Sequence, residues 1–163
     1  MHPYGIDIIT AYKPWRQIDP VHIITEVAEK TLQHMHITHP VEFCVKLTSD
    51  NEIQRLNRLY RSKDSPTNVL SFPTHVNIKK LQTTNEVPLI LGDIVIAFET
   101  VQTEALAQGN KFNDHLSHLV VHGLLHLLGY DHESEPDASA MESLETEILS
   151  FFNIKDPYTP HEQ

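Results

Sequence analysis

The segment HGLLHLLGYDH, residues 122–132, holds the residues best suited to chemistry. His122 and His126 are four residues apart in a stretch of helical pattern, so both imidazoles leave one face and can reach one ion. Gly129 can take the left-handed conformation that ends a helix, which returns the backbone and brings in His132 as a third nitrogen donor. Three such ligands leave the fourth position of a tetrahedral zinc ion open to water or substrate, the arrangement of a catalytic site. The spacing matches the long zinc-protease motif except at one place. Those proteases follow the first histidine with a glutamate that activates water, and this chain has Gly123 there. Peptide hydrolysis by that route therefore has no base.

Other residues near this segment carry weaker signals. His118 lies one helical turn before His122, where it could orient a ligand, contact substrate, carry a proton, or simply hydrogen-bond within the fold. His115 would sit on a similar side but about 10 Å from the ion by helical rise. Asp131 could accept from a ligand imidazole or cap the loop.

A second signal is RLNRLYRSKDSPTNVLSFP, residues 55–73. Arg55, Arg58, Arg61 and Lys63 place 4 of the 12 basic residues in nine positions, whereas Lys155 alone opposes 10 acidic residues after position 112. A basic helix end facing a metal cleft can hold a phosphodiester through paired arginine donors. Arg61 is the strongest candidate, and Arg55 and Arg58 fit an ordinary solvated face. Asp64, Pro66 and Asn68 are turn formers, and Ser71 is expected to hydrogen-bond to backbone. Asp93, in an apolar strand, needs partners there unless the strand lies at an edge. Trp15 and the tyrosines are too sparsely interleaved with basic residues to suggest an RNA-stacking platform.

The elements that position these residues follow from pattern. Strands are predicted over residues 6–10, 41–47, 69–72 and 88–98, with Gly92 marking a bulge or close backbone contact and Cys44 a buried apolar residue. Helices are predicted over residues 21–35 (inward Val21, Ile24, Val27, Ala28 and Leu32) and 49–61 (capped by Ser49, inward Ile53, Leu56 and Tyr60). Three more cover residues 99–108, 114–128 and 137–151. Residues 74–86 have no convincing period and read as a loop, and the polar tail is expected to fray. This order implies an α/β or α+β sandwich with no repeat or linker.

The 163 residues suffice for one core, and with that much buried surface a metal is more useful for function than for folding. A lone cysteine excludes an intramolecular disulfide framework and favours a reducing compartment. No basic segment precedes an apolar run near the start and no stretch is long enough to span a bilayer, so a cytoplasmic protein without membrane contact is expected. A net charge of -10 argues against wrapping nucleic acid in a general positive field, while leaving room for a local basic patch.

The combination of YRSKDSPTNVLSFP, LGDIVIA and HLVVHGLLHLLGYDH resembles the YbeY family of bacterial and organellar endoribonucleases, over most of residues 40–150. The resemblance implies an α/β fold in one compact domain, residues 1–155, with a small mixed sheet packed against helices, and a tail at 156–163. It implies one zinc ion per chain held by His122, His126 and His132 at a helix end, with Arg61 as the functional arginine. It also implies cleavage of single-stranded RNA in maturing the 3′ end of small-subunit rRNA, a part in ribosome quality control, and association with the small subunit and its assembly factors. Arg61, which the resemblance implies, and His118, which its place one turn before His122 suggests, are the catalytic candidates, and no DNA substrate is expected. Two other readings fit the same residues: a zinc-stabilised ribosome-assembly adaptor without nuclease activity, and a metal-dependent hydrolase of another substrate.

Overall fold

The computed structural model describes residues 4–83 and 87–158. Its four strands are β1 (Tyr4–Thr10), β2 (Val41–Thr48), β3 (Val69–Pro73) and β4 (Leu89–Ala97). The helices are α1 (Pro20–His34), α2 (Asp50–Arg61), α3 (Ile78–Leu81), α4 (Phe98–Gln108), α5 (Phe112–Leu127) and α6 (Glu135–Ser150), with a short 3-10 turn at Lys13–Gln17. The sheet order is β1-β2-β4-β3, with β3 antiparallel to β4 and the other neighbours parallel, so the expected α/β domain with a small mixed sheet is what forms.

Alternation in β2 sends Val41, Phe43, Val45 and Leu47 into the core. Cys44 points the other way and is only half-buried, not the buried apolar residue expected, because it shares the outer face with its partner Asp93. Asp93 is exposed there and touches neither the histidine helix nor the arginine loop by any hydrogen bond among the described residues. The α5 helix is apolar nearly all round because it meets α1, β3, β4, α4 and α6 together; Leu116, Val120, Val121, Leu124 and Leu125 are wholly buried.

Three pattern-based expectations fail for local reasons. Val21 is 49% exposed because Pro20 takes the buried place in the first turn of α1. Tyr60 is 66% exposed, and Asn57 is buried in the inward row instead, since this end of α2 faces its own connection to β3 and Asn57 Nδ2 donates to the Ser65 carbonyl at 2.9 Å. Residues 74–83 are not a plain loop: α3 seats Leu81 in the core, and its carbonyl accepts from the Thr38 and His39 amides. Residues 84–86 of that expected loop lie outside the described residues.

Two devices fix the sheet to the helices that carry the site. Gly92 has φ 133° beside a register shift between β2 and β4, where a Cβ would stand 2.2 Å from the Phe72 carbonyl oxygen. The N-termini of α2 and α4 cap each other: Glu99 accepts from the Asp50 amide at 2.9 Å, and Asp50 accepts from the Thr100 amide at 3.0 Å. Tyr12 ties the start of the chain to the same pair by donating to Glu99 at 2.7 Å.

Candidate metal centre

The end of α5 is built to turn. The Tyr130 amide donates to the Leu125 carbonyl at 3.0 Å and Gly129 has φ 102°, the hydrogen-bond pattern and left-handed residue that close a helix and redirect the chain. Past the turn, the His132 amide donates to Asp131 Oδ1 at 2.6 Å, so Asp131 fixes the loop rather than a ligand ring.

The outcome is that His122, His126 and His132 each bring one ring nitrogen into a group spanning no more than 4.8 Å. The Nε2 atoms of His122 and His126 are 3.1 Å apart, close to the separation of about 3.3 Å between two nitrogens on a tetrahedral zinc. His122 uses its other nitrogen, Nδ1, to donate to Glu145 Oε1 at 2.9 Å, which leaves a lone pair on Nε2. Burial, and then the neighbouring His122 and His132, bring the His126 pKa down to about 4, so this ring is neutral near pH 7. With His126 also presenting its Nε2 lone pair, the two nitrogens would hold one cation between them, and this donor set fits zinc.

Glu145 was not visible as a site residue in the sequence. It is fully buried on α6, in one stripe with Met141, Ile148 and Leu149. A carboxylate at an inward position of an amphipathic helix was the available signal. Its Oε1 accepts from His122 and from His118 Nε2, both at 2.9 Å, and its Oε2 accepts from the Tyr158 hydroxyl at 2.8 Å. Burial raises its pKa, but the hydrogen bonds and charges of His118 and His122 outweigh this and bring it to about 2. His118 is therefore joined to the three-histidine group through Glu145. His115 is apart from it, buried and bonded to Glu104 Oε1 at 2.8 Å. Tyr158 belongs to the tail expected to fray; residues 156–158 are seated on α6, where Thr146 reaches Asp156, and residues 159–163 lie outside the described ones.

Arg61 approaches from the other side of the sheet edge. Its Nη2 donates to the Ser71 carbonyl at 2.8 Å, and Ser71 Oγ donates to the Gly123 carbonyl at 3.2 Å, one residue from His122. Gly123 itself faces this contact: a Cβ there would meet Ile94 at 3.0 Å and Ser71 Oγ at 3.2 Å. The position that holds a glutamate in zinc proteases is here packed against β3 and β4. Arg55 is paired with Glu52 at 2.7 Å, whereas Arg61 and Lys63 meet no carboxylate among the described residues.

A family model described as Endoribonuclease YbeY matches residues 12–153. The chain belongs to the YbeY family. An endoribonuclease YbeY of Bartonella quintana is 43% identical over 155 residues, covering 94% of this chain and 96% of that one. One from Paramagnetospirillum magneticum is 50% identical over 118 residues, covering 72% and 71%. The solution structure of a Thermotoga maritima protein has the same fold, with TM-score 0.58 at 25% identity over 97% of this chain and 99% of its own. The three-histidine group and the Arg61 segment both lie inside the matched residues. Tyr158 lies beyond them. No helix among the described residues is long and apolar enough to cross a membrane.

Proposed function

We propose that this YbeY-family protein is a zinc-dependent, single-strand-specific endoribonuclease that binds one zinc ion through His122, His126 and His132. The observation that carries the reading is the convergence of three imidazole nitrogens within 4.8 Å, backed by the buried Glu145, in a chain whose relatives are named endoribonucleases. When bound, zinc would supply Lewis-acid activation of water or of a phosphate oxygen.

The chain's own residues do the rest. Glu145 holds His122 in the tautomer that presents Nε2, and it fixes His118 in the same network. His118 thereby acts as a positioning residue at the back of the site. Arg61, oriented by the Ser71 carbonyl and without a carboxylate partner among the described residues, keeps donors free for a phosphodiester and stabilises the charge that grows in the transition state. The substrate in this reading is the 3′ region of small-subunit rRNA in the cytoplasm, with a role in ribosome quality control. The small subunit and its assembly factors would deliver the RNA, since the chain's net charge of -10 gives it little attraction of its own.

The test is cleavage of a defined single-stranded 3′-precursor RNA by zinc-loaded protein, comparing wild type, His126→Ala and Arg61→Ala. Localised cutting that both substitutions reduce by about 100-fold or more, with fold retained, is the expected result. Binding of RNA or of the small subunit without any cutting would replace the nuclease with an adaptor. The product ends assign the nucleophile: a 2′,3′-cyclic phosphate with a 5′-hydroxyl means the RNA 2′-hydroxyl, a 3′-hydroxyl with a 5′-phosphate means water.

A further inference from the structure

Tyr60 immediately precedes Arg61 and is 66% exposed, although its position in α2 predicts an inward ring. It is nevertheless held: its ring meets Phe72 edge-on, with centroids 5.4 Å apart and planes at 71°. Such a contact covers at most one face of the tyrosine and leaves the other to solvent. Phe72 also lies 5.9 Å below the Arg61 guanidinium and is the neighbour of Ser71, whose hydroxyl reaches the backbone of α5 beside His122. An aromatic face, a guanidinium with no carboxylate partner among the described residues, and the histidine helix are thus joined through two adjacent residues of β3.

We infer that Tyr60 stacks on an unpaired nucleobase of the RNA while Arg61 holds a phosphate beside it. This rests on the nuclease reading and adds the residue that makes the site prefer single strands. Only a base freed from pairing can lie flat on a side-chain ring, and stacking accepts any base because each has a π-face. The tyrosines are too sparse along the chain to suggest this, but the fold supplies the partner that sequence spacing lacks: Phe72 arrives from another strand.

The experiment uses full-length zinc-loaded protein, a single-stranded RNA oligonucleotide, and a set of the same oligonucleotide with one abasic site walked along it. Binding is read with 2′-O-methyl versions and cleavage with the ribose forms, for wild type, Tyr60→Ala, Tyr60→Phe and Tyr60→Trp. Wild type is expected to lose about 5- to 150-fold in affinity when one particular base is missing, the range that base stacking provides. Tyr60→Ala is expected to bind intact RNA that much more weakly and to be insensitive to the missing base, while Phe and Trp keep the wild-type pattern. Zinc content and melting temperature report whether Tyr60→Ala is otherwise intact. If wild type binds and cuts but Tyr60→Ala matches it, or weakens equally for intact and abasic RNA, the stacking role is overturned alone. If wild type neither binds nor cuts, even with the same RNA presented on the small ribosomal subunit, the nuclease reading falls and this one with it.

Discussion

Glu145 Oε1 stands 2.9 Å from His122 Nδ1, and the carboxylate has no exposed surface. It is the support on which the orientation of the His122 ring depends. Glu145→Gln should lower zinc affinity by about 10- to 100-fold, as loss of such supporting partners does. Competition against a chromophoric chelator measures this without reference to activity.

Chelation offers a second reading of the same centre. With zinc at 100 times its dissociation constant, binding stabilises the native state by about 2.7 kcal/mol. For a chain of this size that is a rise of roughly 5–11 °C in melting temperature. The shift should vanish in His126→Ala, whose melting point should not respond to added zinc.

Arg61 should separate from the metal. Its contact is with the Ser71 carbonyl, so Arg61→Ala is expected to keep wild-type zinc affinity while losing turnover. Arg61→Lys should recover little, because one ammonium cannot reproduce the two-pronged geometry of a guanidinium. Zinc titration alongside single-turnover cleavage distinguishes the two effects.

Gly92 tolerates no side chain. Alanine there would face a φ of 133° and a Cβ 2.2 Å from the Phe72 carbonyl oxygen. Gly92→Ala should destabilise by about 3 kcal/mol or more, a fall of roughly 6–12 °C in melting temperature. Thermal denaturation followed by circular dichroism measures it.

The α2–α4 junction predicts a pH dependence. Burial acts to raise the Glu99 pKa, but hydrogen bonds from Tyr12 and from the Asp50 amide prevail and hold it below the usual 4.5. A carboxyl held below its unfolded value contributes stability that is complete above pH 4.5 and is lost as pH falls through the folded pKa. Glu99→Gln should therefore flatten the acid side of the stability curve below pH 4.5. Melting temperatures from pH 7 down to 3 for both proteins test this.

What could be read from the chain was local. His122 and His126 lie on one helix, where spacing alone dictates which rings share a face, and His132 follows the turn that ends it; Ser49 announces α2 by capping the Glu52 amide. What could not be read was long-range. Glu145 comes from a different helix, 23 residues after His122, and Tyr158 from 13 residues further on. Pattern identifies residues 69–72 as a strand but not as the antiparallel edge beside β4, although that placement alone brings Ser71 between Arg61 and Gly123. Asn57 and Tyr60 reverse their expected sides because α2 is covered at its end by a turn, whose polar backbone rewards an amide over a ring.

The edge position of β3 gives Arg61 a second duty. A border strand offers backbone groups to any other extended chain, and native proteins guard such borders with short strands, proline and cations. Here the strand has five residues, ends in Pro73, and has the Ser71 carbonyl occupied by the guanidinium. Replacing Arg61 by a neutral residue uncovers that carbonyl, so the same change that weakens phosphate capture opens a path to strand-by-strand self-association. The residue that would greet a foreign chain at the site is also the one that keeps a foreign chain from becoming part of the sheet.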